Sequence, residues 1–285
     1  MAIYKGNKKV VAVYKGSTPI NKIYKGSTLV FQKSGGGGNT HLFEGTATGN
    51  FKLQINGNQI IPITPDADGK WFYDTDEQIT SLSEFLYGQL EVTSVDLSNF
   101  DLTDIPTNSM FEESTYITSI KFNNTKSIKL VEAARMFYAC RFLVSLDLSN
   151  FDTSKLKKAT YMFYACSKLV SLDLGSFDTS SLTSALGMFY NCNRLVSLDL
   201  SNFDTSSLTD ASYMFYSCSK LVSLDLSNFD LSKVTSYNNM FYNCNNLTHI
   251  KCKQAFKDWC ITNQDTIKLP DTMREGGSGT WEIVG

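Results

Sequence analysis

A Met-Phe pair recurs at Met110, Met136, Met162, Met188, Met214 and Met240, each 26 residues after the last. Cysteine stands four residues after the methionine in five of these units, at Cys140, Cys166, Cys192, Cys218 and Cys244. The unit reads MFYxCxxLVSLDLSNFDTSxLxxxxx, and a degenerate 25-residue forerunner starts at Phe85 with FLYGQLEVTSVDLSNFD. A unit this short cannot bury its own apolar face. Stacked copies must share one core, and so strict a period specifies a solenoid.

Within one unit, Leu169, Leu172, Leu174, Phe177 and Leu182 give the LxxLxLxxxF spacing of a leucine-rich repeat. Ser171, Leu172, Asp173 and Leu174 alternate as a strand does, leucines inward and Ser and Asp outward. Met162, Cys166 and Leu169 lie at i, i+4 and i+7, which predicts about two turns of helix facing the core. Asp152, Asp178, Asp204 and Asp230, in the FDTS turns and their variant FDLS, are placed to accept backbone N–H groups two or three residues on. The expected fold class is an α/β solenoid of 26-residue leucine-rich units, one short parallel strand and one short helix per rung.

The pattern CxxLxSLDLSNFDTSxLxxxxxMF resembles the BspA-like leucine-rich repeat family of bacterial surface proteins over roughly residues 85–265. Members of that family usually carry VTDMSxMF before the cysteine; here the variants LTDASYMF and LKKATYMF change one apolar contact per rung. The resemblance implies binding or adhesion and carries over no catalytic residue.

Three repeated positions become rows once the units stack about 4.8 Å apart. Asp96, Asp147, Asp173, Asp199 and Asp225 would line the strand face, interrupted by Lys121 and bounded by Lys251. Stacked carboxylates repel, so they lean into solvent, bond neighbouring serines, share cations, or bind a cationic or hydroxyl-rich ligand. Tyr87, Tyr138, Tyr164, Tyr190, Tyr216 and Tyr242 form a second row, which either stacks sugar rings and anchors proteins or simply covers the edge of a helical layer. The cysteines suit a buried position. With Cys252 and Cys260 the total is seven, so complete pairing within one chain is impossible, and no C-x-x-C spacing suggests zinc. Buried reduced thiols fit assembly in a reducing compartment.

An end rung exposes its apolar interior unless it is capped. Residues 41–84 read as a β-rich first cap, with FKLQING, QIIPI and KWFYD as strands and NGN and DADG as turns. Asp66 and Asp68 lack the further ligands of a calcium loop, so a hairpin turn is expected there. Phe256, Trp259, Leu269 and Trp281 would close the far end, with the solenoid over 85–265 and a second cap over 266–285.

Residues 1–33 differ from everything that follows. They hold three ten-residue units, IYKGNKKVVA, VYKGSTPINK and IYKGSTLVFQ, and seven lysines with no acid. Against an overall formal charge of −2, that leaves −9 for the rest. Short strands broken at KGN and KGS predict a small β-meander too small to fold alone, which must dock on something. Tyr4, Lys5, Tyr14, Lys15, Tyr24 and Lys25 are its candidate anchor residues. Ser34 and Gly35 to Gly38 begin a Gly-rich linker over 34–40. Similar YKG repeats head proteins that resemble tail or other virion components of bacteriophages of gut bacteria.

Near-neutral overall charge gives no reason to expect nucleic acid. No apolar run approaches the ~20 residues that span a bilayer, and the opening lacks a secretory leader. His41 and His249 are the only histidines, with no nucleophile elbow, phosphate loop or metal cluster around them, and His249 stands where the repeat has serine. The expectation is therefore a non-catalytic virion protein without cofactor or metal. Its head would bind other virion proteins, its solenoid would meet a host-surface glycan or protein, and several copies would add avidity as a homo-oligomer. The alternative is a bacterial cell-surface adhesin.

Overall fold

The computed structural model describes residues 41–57, 59–75, 78–102, 105–123 and 127–284, together with four strands nearer the N-terminus. These are β1 (Ile3–Lys5) and β2 (Lys8–Val10), an antiparallel pair, and β3 (Lys22–Lys25) and β4 (Thr28–Gln32), a second pair. Tyr14, Lys15 and the linker lie outside the described residues, as do the side chains of Tyr4, Lys5, Tyr24 and Lys25.

The first cap contains β5 (His41–Ala47), the hairpin β6 (Phe51–Ile55) and β7 (Gln59–Ile63), and β8 (Lys70–Thr75). The DADG segment turns the chain, with Asp66 Oδ1 accepting the N–H groups of Asp68 and Lys70 at 2.9 Å. The expected hairpin there is corrected: β8 pairs with β5, not with β7. β5 also runs antiparallel to β9 (Val92–Asp96), the first rung's strand, and thereby closes the solenoid's end. Gly45 is obligatory in this seam, because a Cβ there would meet the Ser94 carbonyl oxygen at 2.0 Å.

Beyond the cap the chain coils in rungs of about 26 residues joined by parallel contacts. β9 pairs with β10 (Ser119–Lys121), and β11 (Ile128–Lys129) with β12 (Phe151–Asp152). Further on, β13 (Ser197–Asp199), β14 (Ser223–Leu226), β15 (His249–Lys253) and the final β16 (Thr280–Val284) form one parallel sheet. Between these sheets, residues 144–148 and 170–174 donate no backbone hydrogen bond to a neighbouring rung.

The helix expected in every rung is absent from the described rungs. The MFYxC run is a series of tight turns in which backbone N–H groups alternate between two jobs. Met136, Tyr138 and Cys140 donate three residues back within their own rung, whereas Arg135, Phe137 and Ala139 donate to Thr160, Met162 and Tyr164 of the next. A helix would send every amide backward along its own run. The alternation requires left-handed residues immediately before the methionine and three after it, and the structure has them: Tyr161 and Ala165, Gly187 and Asn191, Tyr213 and Ser217, Asn239 and Asn243. Among the described residues α-helices occur only at the C-terminal end, as α1 (Gln254–Thr262) and α2 (Gln264–Ile267). The last two residues of α2, Thr266 and Ile267, accept the last turn-run amides, those of Asn239 and Phe241, which would otherwise face solvent.

The core is a set of columns. Phe111, Phe137, Phe163, Phe189, Phe215 and Phe241 are fully buried and stack with centroids 5.5–5.8 Å apart. The methionines and leucines of each rung surround them. Buried Thr153, Thr179 and Thr205 each donate a hydroxyl to a carbonyl of the next rung at 2.9–3.0 Å. All seven cysteines are buried and free.

Candidate functional site

Each rung presents two outward runs that carry repeated chemistry. On the strand run the buried leucines leave Val, Ser and Asp outside. The valines form a row, with Val144, Val170, Val196 and Val222 each 41–54% exposed and Phe142 beside them at 41%. This row was missed in the sequence, although its signal was present in the repeated LVSLDL, where one apolar residue per unit breaks the alternation.

The acidic row stands where the alternation put it. Asp147, Asp173 and Asp199 are exposed and Asp96 and Asp225 half-buried. Every one of the five uses Oδ1 to accept the N–H two residues on, from Ser98, Ser149, Gly175, Ser201 and Ser227. Ser149 and Ser227 add their hydroxyls. The serine partners are thus residues of the same rung, not the outward serines beside the valines. These bonds hold the Asp147 carboxyl below the usual range. Asp96 and Asp225 also titrate low: burial pushes them up, but their serine bonds and a lysine outweigh it. Those lysines are Lys121, 2.9 Å from Asp96, and Lys251, 3.0 Å from Asp225, each one rung away in register. Asp147, Asp173 and Asp199 make no ion pair among the described residues. At the last rung His249 pairs with Glu282 at 3.1 Å. A shallow depression of about 260 Å³ lies over Ser197, Asp199, Ser223, Asp225, His249 and Lys251.

The tyrosines occupy the turn run. Tyr138, Tyr164, Tyr190, Tyr216 and Tyr242 form one column with centroids 4.3–4.8 Å apart and ring planes within 21° of parallel. Tyr87 does not belong to it, because Glu112 takes the tyrosine position in the intervening unit and pairs with Arg135 at 3.1 Å. Arg135 also lies 5.4 Å from the Tyr138 ring centre, at the column's end. Burial, and then the adjacent Tyr216 phenol, pushes Tyr190 up to about 12. The first four rings, Tyr138 to Tyr216, are half-buried and Tyr242 is exposed.

A larger cavity, of about 750 Å³ and also missed in the sequence, lies at the C-terminal cap between α1 and residues 274–281. Its Arg274 is committed to Asp265 and Asp271 at 2.8 and 3.5 Å. Among the described residues no three His, Cys, Asp or Glu side chains stand together as a metal-binding group, and no helix is long and apolar enough to cross a membrane.

A capped solenoid of 26-residue rungs, mostly β and turn, with constant outward rows, is the class of protein these observations define. Residues 80–196 and 170–268 match the family described as "Mycoplasma protein of unknown function, DUF285", and the chain belongs to that family. The two matches overlap by about one rung, as a repeat readable from any rung would allow. No curated protein matches the sequence.

Proposed function

We propose that this chain is a non-catalytic recognition module of a bacteriophage virion, of tail-fibre or decoration type. The solenoid, read as a leucine-rich repeat of the BspA-like kind, meets a protein or host surface, and residues 1–33 attach it to the particle. The observation that supports this reading is the division of labour within each rung. Repeated Phe, Met, Cys and Thr side chains are committed to the interior, while Val, Asp and Tyr are held outward at constant register over four or five rungs. A flat periodic surface suits extended partners, and tyrosine gives broad contact area at low entropic cost.

Two variants test the reading. Deletion of residues 1–33 should abolish incorporation into particles, and unchanged incorporation refutes the attachment role. Reversing charge at Asp147, Asp173 and Asp199 together should weaken binding of the particle to host cells by about tenfold or more. Equal binding would remove the acidic row from the recognition surface.

A further inference from the structure

The strand face carries an exposed valine row beside three carboxylates that have no amine partner among the described residues, on a surface where the equivalent carboxylates at either side have one. Lys121 and Lys251 show what that surface accepts: an amine one rung from the aspartate, at 2.9–3.0 Å from Oδ2. Oδ1 is already occupied by the backbone, so Asp147, Asp173 and Asp199 each present a fixed Oδ2. The chain itself contains the complementary segment. Residues 1–33 hold seven lysines and no acid, in three YKG units each preceded by Ile or Val. Distance permits the contact within one chain. Residues 34–40 extend to at most about 25 Å, while Asp147 and Asp199 lie about 14 and 24 Å from β5 at strand spacing.

We propose that the strand face, with its valine row and Asp147, Asp173 and Asp199, is the docking site of the basic residues 1–33 of the same chain. Tethering makes this contact intramolecular, so it forms at protein concentrations where a second copy would not compete. The contact does not depend on the particle assignment. A head that cannot bury its own core gains an apolar and charged platform, and the face is covered until a partner displaces it.

Carbodiimide cross-linking of the full chain at low salt tests this, because it joins a lysine amine to a carboxylate only when they touch. Links from residues 1–33 to Asp147, Asp173 and Asp199 should exceed those to the exposed Asp178, Asp204 and Asp230 by about tenfold, and should fall about fivefold at 0.5 M salt. In a mixture of isotopically labelled and unlabelled chains, the links should join residues of one label. Replacing Lys5, Lys15 and Lys25 by Glu should suppress links from the remaining head lysines to the face. Adding D147K, D173K and D199K to that variant should restore head-to-face links with the roles of amine and carboxylate exchanged. Equal linking to the control aspartates, or links mainly between labelled and unlabelled chains, would overturn the proposal.

Discussion

The repeated cysteine makes a prediction that separates two accounts of its position. Cys140, Cys166, Cys192, Cys218 and Cys244 each donate Sγ–H to a phenylalanine carbonyl of the preceding rung at 2.9–3.2 Å. In the unit where serine replaces cysteine, Ser114 gives its hydroxyl to the Leu86 carbonyl, the equivalent acceptor. The position therefore selects a small buried donor, not merely a small apolar group. Cys192→Ala removes a hydrogen bond to Phe163 worth about 1 kcal/mol and the sulfur's packing, worth about 1 kcal/mol more. The loss is not larger because the Phe163 carbonyl keeps its bond from the Cys166 amide. Cys192→Ser keeps the donor and loses only packing, about 1 kcal/mol. At about 2–4 °C per kcal/mol for a domain of this size, thermal unfolding of the full chain should place the serine variant a few degrees above the alanine variant. If the site were only an apolar hole, the order would reverse, since a buried hydroxyl without a partner costs about 1–3 kcal/mol. A serine variant less stable than the alanine variant refutes the donor account.

The remaining predictions concern the turn run, the thiols and the aspartates. Gly187→Ala should lower the melting temperature by several degrees, because Gly187 has φ +55° and a Cβ would lie 2.3 Å from the Tyr161 ring; an unchanged value would disprove the left-handed turn geometry. In the native chain at pH 8, a thiol reagent should modify none of the seven cysteines, since burial pushes Cys192 and Cys244 up to about 12 and raises the others too, whereas the unfolded chain should titrate all seven. Hydrogen bonds from Ser149, Ser154 and Ser206 lower the folded pKa values of Asp147, Asp152 and Asp204. Their stabilisation is therefore complete above the unfolded value near 3.9 and is lost as pH falls through the lower folded values. Urea midpoints should be flat from pH 7 to about 5 and decline below about 4, and a Ser149→Ala, Ser154→Ala, Ser206→Ala chain should show a smaller decline.

The period, the inward leucines and the outward aspartates were legible because each is a spacing, and a spacing repeated in six units cannot be accidental. The turn run was not legible, because Met162, Cys166 and Leu169 have helical spacing and are indeed all buried. Tight turns returning to the core at the same intervals produce the same pattern. What distinguishes the two is backbone handedness, and its only trace is the scatter of Gly88, Gly187, Asn191, Asn239 and Asn243 among otherwise unremarkable residues at two fixed positions. The tyrosine column was legible as a row but not as a stack, since ring orientation depends on how closely the turns approach. Thiol donation was hidden for a simpler reason: a buried cysteine reads as an apolar residue until its acceptor is seen.

Hydrogen bonding between rungs explains why the middle of the strand run can stay without backbone pairing. Two other runs already join the described rungs. The turn run does so through alternate amides, and the bridges Glu132–Lys158–Ser184–Asp210–Ser236 do so on the run before it. Buried threonines and cysteines add side-chain bonds in both directions. The strand run is therefore not required for cohesion, and at residues 144–148 and 170–174 it donates nothing to its neighbours. Those are the rungs of Asp147 and Asp173, two of the three carboxylates without an amine. Where the strand run does pair, at β9–β10 and β13–β16, lysines sit opposite Asp96 and Asp225. Backbone pairing and charge pairing are thus both missing at the rungs of Asp147 and Asp173, whereas Asp199 has the first without the second. If the relaxed segment exists to accept a partner, amide exchange at 144–148 and 170–174 should slow when the partner binds, while the already bonded turn run at 161–166 should not change. Slowing confined to the turn run would place the binding surface on the tyrosine column instead.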